Sequence, residues 1–308
     1  MSLAKLFLGK RAEKLPGDNF DKEPVERSGL QHTLYVIRRD VLAMFSVGWI
    51  ALMLIFAIFA PIISPYPEQG RGRNNADYRL LAPSSDNWMG TDELGRDVLS
   101  RLIYGARPAM VASLIVVSAA MLIGTPLGAI AGYYGGWIDE VIMRITDLFL
   151  AFPSLLLAMA IVSLAGPGLL NAVMALVVSW WPWYTRLVRS TTRSLRSQYF
   201  VEAARSIGVR DSVIITRHIL PNTITPIIVQ ATIDIGTVIL ATTSLAFLGL
   251  GTQAPNADWG LMIEQGRQYL RDAWWYSMFP GIAIFLTVLA FNLLGDTLRD
   301  IFDPRQYR

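Results

Sequence analysis

The sequence has no cysteine, only two histidines (His32 and His218), and few charges: 17% of its 308 residues are Asp, Glu, Lys or Arg. Each shortage excludes something. Without thiols there are no disulfides and no thiolate metal sites. The apolar segments contain no His/Asp/Glu cluster and no nucleophile–base set at metal or triad spacing, so a membrane enzyme lacks its working parts. A Gly-x-x-x-x-Gly-Lys-Ser/Thr loop is missing too. The one Gly-Lys pair, Gly9-Lys10, continues with Arg11, and the chain cannot cradle ATP by that route. Internal repeats and low-complexity tracts are absent. So is a cleavable apolar region before Val41, where Lys5, Lys10, Arg11, Lys14, Glu23, Arg38 and Arg39 make the first forty residues charged. The first apolar run therefore reads as an uncleaved anchor.

The charge deficit lies in blocks. A soluble domain carries about 25% charged residues; this chain is 53% hydrophobic with mean hydropathy +0.41. Its apolar blocks reach the roughly 20 residues that a membrane crossing needs. Six spans follow, at 41–63, 108–133, 141–165, 169–187, 226–250 and 276–298, which makes an all-α membrane protein. The divisions are a 1–40 amino-terminal segment, a first span, a 64–107 polar loop, a 108–302 core of five spans and a 303–308 tail. The core contains a basic loop at 189–225.

The isoelectric point near 9.2 does not indicate nucleic acid, because the basic residues cluster beside apolar runs, as the positive-inside rule requires. The fourth–fifth connection holds Arg189, Arg193, Arg196, Arg205, Arg210 and Arg217 against Glu202 and Asp211, and the tail adds Arg305 and Arg308. Six spans put that loop and both termini on one side, which the bias makes cytoplasmic. The first connection opposes this with Arg71, Arg73, Arg79, Arg96, Arg101 and Arg107. Those are balanced by Glu68, Asp77, Asp86, Asp92, Glu93 and Asp97, and long loops count less.

Within the spans, Gly124, Gly128 and Gly132 recur every fourth residue, a spacing that lets two helix backbones approach closely. Pro126 removes a backbone donor there and is a place for a kink. Trp137 precedes the third span and Trp274, Trp275 and Tyr276 the sixth, positions suited to the headgroup zone or to packing between helices. Glu140, Arg144 and Asp147 share one helix face. Asp234 sits deep in the fifth span and must face a cavity or a partner helix; structural pairing is preferred over substrate contact.

The basic loop has its own internal order. Residues 199–207, with Glu202-Ala203-Ala204-Arg205, read as a short helix. Gly208 falls where a helix end needs positive φ. A second short helix starts near Asp211 or Ser212, either a fitting cap, runs through Arg217 and His218, and ends at Leu220-Pro221 because proline disfavours helical geometry before it. Small alanines allow close approach, and Glu202, acidic among arginines, suits a charge-assisted bond. Glu-Ala-Ala, three residues, Gly, then a distal Leu-Pro resembles the EAA motif by which permease subunits of binding-protein-dependent ATP-binding-cassette importers dock on their ATPases. Arg217-His218-Ile219-Leu220-Pro221-Asn222 is similar to the peptide-importer branch, which makes His218 part of a docking helix. The 90–101 string Gly-Thr-Asp-Glu-Leu-Gly-Arg-Asp-Val-Leu-Ser-Arg, Met143 to Asp147, Ser244 to Gly251 and Gly295 to Asp300 resemble the C-type permease of dipeptide, oligopeptide and nickel importers.

The resemblance implies a half-channel of type I importer fold (MetI-like). It implies four kinds of partner: a homologous B-type permease, two ATPases, an extracytoplasmic solute-binding protein and membrane lipid. It also implies no cofactor on this chain, with ATP and Mg on the ATPases, and residence in a bacterial or archaeal plasma (inner) membrane. Peptides are the expected cargo, with nickel, opines or oligosaccharides as alternatives for the same machinery. An ATP-independent channel or facilitator is the remote alternative, and it gives no reason for a helix–turn–helix loop.

Overall fold

The computed structural model describes residues 40–302. The 1–39 part of the amino-terminal segment, His32, the 303–308 tail and its Arg305 and Arg308 lie outside the described residues. Helix α1, Val41–Ile63, begins where the Asp40 carboxylate accepts from the Leu42 amide (2.8 Å). It bends at Phe59 (φ −101°, ψ 15°), two residues before Pro61, the residue whose ring and missing donor disturb the preceding turn. Most of its apolar side chains point outward; only Ala43, Ser46, Met53, Ala57 and Ala60 are buried.

Helix α2 covers Val98–Tyr134 and starts ten residues before the expected 108. The reason is a cap: Asp97 accepts from the Ser100 amide at 2.7 Å, satisfying an orphan donor of the first turn. The helix continues through Pro108 and Pro126, so Pro126 does not interrupt it. At 1.5 Å per residue, its 37 residues span about 55 Å, and its ends project beyond a hydrocarbon core of about 30 Å.

The third span differs from its expected single helix at 141–165. It is two helices, α3 (Gly136–Leu150) and α4 (Ser154–Ala165), bent by 81°. Pro153 pushes Phe152 out of helical geometry, and the chain turns there. Helix α5 then runs Leu169–Arg196, beyond the expected limit at 187.

Gly124 lies beside Trp181 and Thr185, Gly128 beside Thr185 and Arg189, and Gly132 beside Arg189 and Thr192. The two sets of numbers rise together, so α2 and α5 are parallel. A methyl carbon on Gly128 would stand 2.5 Å from the Thr185 carbonyl oxygen, and one on Gly132 2.6 Å from that of Arg189. The glycine series is a backbone-to-backbone seam.

After α6 (Tyr199–Ser206), helix α7 runs from Asp211 to Phe247. The expected stop at Pro221 does not occur. A π-helical turn at Ile214–Ile219 comes just before it. The wider turn accommodates a residue that can neither donate to nor sit close against the preceding carbonyls, and α7 continues. Helices α8 (Trp259–Gly266) and α9 (Trp275–Phe302) complete the chain.

Helices α1, α2, α7 and α9 are each long and apolar enough to cross a membrane, and the bent α3–α4 pair makes a fifth candidate if it is one broken span rather than a re-entrant loop. Helix α5 is more polar, yet 28 residues long and seamed along α2. The arrangement is compatible with six crossings. One core cluster joins α2, α5, α4 and α7, and it includes Val201 and Ala204 of α6. A second joins α1, the start of α2, α8 and α9. Trp137 and Trp274 are exposed, whereas Trp275 and Tyr276 are buried and pack between helices.

Replacing Gly128 by leucine should overpack the seam by about 1–3 kcal/mol. Gly48, on α1, has open space around it. Thermal unfolding in detergent should fall for Gly128→Leu and stay unchanged for Gly48→Leu; equal values would refute a tight seam.

Candidate functional site

Helix α6 lies at the end of the bundle where α2 and α5 finish and α7 begins. Its eight residues form an amphipathic helix with Val201 and Ala204 buried. Tyr199 (87% exposed) and Ile207 (81%) project outward together with Glu202, Ala203 and Arg205. Gly208 follows at φ 82°, the left-handed conformation that ends a helix without a Cβ penalty. The Val209 amide donates back to the Ala204 carbonyl (3.1 Å). Among the described residues no ion pair engages Glu202; Ser206 bonds only its backbone carbonyl (2.9 Å). Its carboxylate stays available to a partner. Arg217 and Pro221 are exposed, and His218 and Leu220 half-buried, on the neighbouring turn of α7.

The loop is also attached through Tyr133, a residue that no local pattern singles out. The Tyr133 hydroxyl, at the end of α2, donates to Asp211 Oδ1 (2.5 Å) and accepts from Arg205 (3.2 Å). The Arg205 and Arg196 guanidinium groups lie 5.5 and 6.0 Å from the centre of its ring, within cation–π range. Asp211 and Ser212 are the expected caps of the second helix; Arg210 stands at the cap position instead, without a side-chain cap bond, and the Asp211 carboxylate is engaged by the tyrosine. No local periodicity could reveal a bond across 78 positions.

Several charged residues of the spans are paired with one another. Arg144 meets Glu140 (3.1 Å) as the face-sharing argument required, whereas Asp147 turns to Arg186 of α5 (2.6 Å). Arg189 of α5 also forks onto both oxygens of Asp139, so α3 is pinned to α5 at two levels. Asp234 is buried and accepts from Gln230 of its own helix (3.0 Å), beside the Tyr184 hydroxyl of α5.

At the other end of the bundle, the 90–101 string folds into a knot. Asp92 takes the Leu94 and Arg96 amides on Oδ1 and Arg96 Nε on Oδ2 (2.6 Å), with Arg101 Nε at 3.5 Å. All three side chains are fully buried. Gly95, at φ 71°, passes so close to Asn75 that any Cβ would overlap its carbonyl. Arg101 reaches the carbonyls of Pro255 and Asn256 (both 3.2 Å), and Trp275 Nε1 bonds the Thr91 carbonyl (3.2 Å). Burial raises the Glu93 carboxyl above the usual range, with Asp92 adding to the effect. Burial also raises Asp258, which caps α8 by accepting from the Gly260 amide (2.8 Å).

A bundle of long apolar helices with a seamed parallel pair, a tied-down cap at one end and an amphipathic helix turned outward at the other has the make-up of a membrane-embedded protein. Comparison with known proteins gives the particular class. Residues 124–308 match the family model of the binding-protein-dependent transport system inner membrane component, and residues 28–83 that of the N-terminal TM domain of oligopeptide transport permease C. The chain is 47% identical over 87% of its length to the dipeptide transport system permease protein DppC of Alkalihalophilus pseudofirmus, covering 88% of that protein. It is 42% identical over 88% to the probable D,D-dipeptide transport system permease protein DdpC of Escherichia coli, covering 90%. It is 46% identical over 87% to an E. coli glutathione transport system permease protein, GsiD, covering 88%. The inward-facing MetNI methionine ABC transporter shares the fold, with TM-score 0.54, 18% identity and coverage of 66% of this chain and 96% of that one. The chain belongs to the binding-protein-dependent inner-membrane permease family of ABC importers and is a transport subunit rather than an enzyme.

Removing the Asp92 charge should strand two buried guanidinium groups, at a cost of about 3–5 kcal/mol. Asp92→Asn is expected to open the 64–97 segment to added protease, while Asp86→Asn, at an exposed position, leaves cleavage at the wild-type rate. Matching cleavage in the two variants would show that the cluster does not hold the cap.

Proposed function

We propose that the chain forms half of the translocation pathway of an importer for di- or oligopeptides, with α6 as the helix on which an ATPase docks. The observation that carries this is the exposed face of α6: apolar side chains and an ion-unpaired carboxylate turned away from a helix anchored by Val201 and Ala204. A lone surface helix gains nothing from outward Tyr199 and Ile207; a partner groove would bury them.

In this reading the α6 end and both termini face the cytoplasm, the cap faces outward, and the membrane is the plasma (inner) membrane of a bacterium or archaeon. The complex holds one homologous B-type permease, two ATPases that carry ATP and Mg, and a solute-binding protein that delivers cargo to the capped side. This chain holds no cofactor of its own. The arginines of the 64–107 loop fit an outward cap because Arg96 and Arg101 are consumed in internal bonds and are not free to set orientation. Peptide cargo is supported by relatives named for dipeptide and glutathione transport. A ligand screen on the binding protein separates peptides from nickel, opines or oligosaccharides.

Glu202, Ala203, Ala204, Arg205, Gly208, Arg217, His218, Leu220 and Pro221 make up the coupling element in this proposal. Truncating a buried interface charge costs about 2–5 kcal/mol, enough for at least a tenfold loss of coupled transport. Valine at Gly208 would be forced into a positive φ that a β-branched residue resists. Glu202→Ala and Gly208→Val should both insert normally, abolish uptake and uncouple ATP hydrolysis. Normal uptake in both would refute the coupling role, and cargo flux from this chain alone in liposomes would favour a facilitator.

A further inference from the structure

A docked helix must do more than bind; it must pass its displacement into the spans. Helix α6 is poorly built for that by itself. Two turns of helix are marginal without packing, and its link to α7 runs through Gly208 in a left-handed turn. A body so hinged can rock under load, and its motion reaches the spans through the packing of Val201 and Ala204 and through lateral polar bonds.

Those bonds converge on one side chain. Tyr133 is 2% exposed. It bonds Arg205 of α6 and Asp211 at the start of α7 through a single hydroxyl oxygen. Its ring carries the guanidinium groups of Arg205 and of Arg196, the last residue of α5. It also follows Gly132, where the α2 and α5 backbones are in contact. Four helix ends therefore meet at one phenol: those of α2, α5, α6 and α7.

We propose that Tyr133 is the positioning residue that transmits movement of α6 to α2 and, through the glycine seam, to α5. The hydroxyl is the critical group, because it donates to Asp211 while accepting from Arg205, and phenylalanine can do neither. This inference rests on α6 being the ATPase-docking helix.

The test uses the whole complex in proteoliposomes: this chain with its partner permease, its ATPases and the binding protein as purified, with ATP and Mg. The readout is the factor by which the binding protein stimulates ATP hydrolysis, alongside recovery of the ATPases on purification. Tyr133→Phe keeps the ring, its burial and its cation–π contacts. The expected result is full ATPase recovery and near-normal basal hydrolysis, with stimulation reduced about tenfold for the two lost hydrogen bonds.

Asp211→Ala, at an exposed position, should reproduce part of that loss and should add little to Tyr133→Phe in the double variant. It also keeps the proposal testable where Tyr133→Phe fails to assemble. Wild-type stimulation in both single variants would overturn the proposal. So would loss of ATPase recovery with normal stimulation in the complexes that remain, since the tyrosine would then only shape the dock. Ala203→Trp, on the outer face of α6, separates the two levels. Wild-type behaviour there overturns the docking reading itself, whereas loss of the ATPases there with normal Tyr133→Phe overturns the role of Tyr133 alone.

Discussion

The contact of the α2 and α5 backbones along Gly124, Gly128 and Gly132 governs the placement of the rest. Lipid tails are as apolar as leucine, so helices in a bilayer gain little by merely hiding apolar surface and depend on close van der Waals packing. Three missing side chains allow that packing over the Trp181 to Thr192 part of α5, a helix more polar than the other spans. Parallel alignment then carries the ends of both helices to the same depth. There Tyr133 and Arg196 come together, and α6 is suspended between them and α7. Arg186 and Arg189, on the same helix, pull α3 onto α5 through Asp147 and Asp139.

The charges divide into two populations with opposite uses. At the cap, Arg96, Asp92 and Arg101 are withdrawn from water and paired with one another, an arrangement costly to form and costlier to break. It fixes the 64–97 segment against α8 and α9. At the α6 end the charges remain exposed, and Glu202 has no internal ion-pair partner among the described residues. Counting arginines per loop treats these populations as equal, which is why the 64–107 loop opposed the orientation drawn from charge alone. Burial removes Arg96 and Arg101 from that count.

Local chemistry was readable in the sequence and long-range pairing was not. The helix around Glu202 and its end at Gly208 follow from amphipathic spacing and from a residue that tolerates positive φ, both short-range effects. The close approach at the glycines was also legible, although the partner helix was not. Pro153 carried a signal for the break between α3 and α4, which the continuous apolar run concealed. Pro221 carried the opposite error: a rule about isolated turns predicted a stop, and packing of Ile214, Ile215 and Ile219 into the core held the chain helical through a π turn. Asp211, offered with Ser212 as a helix cap, lies inside the helix and bonds Tyr133 from 78 positions away.

The sequence by itself determined that the chain enters a membrane, where most of its crossings fall, and that a structured basic segment interrupts them. Those properties depend on the hydropathy and backbone preference of neighbouring residues. Only the tertiary structure decided which charges are buried, which helix fills the glycine groove, and which side chain bonds α6 to the ends of α2 and α7. Such contacts depend on distances between residues far apart in the chain, and the packing of the whole bundle sets them.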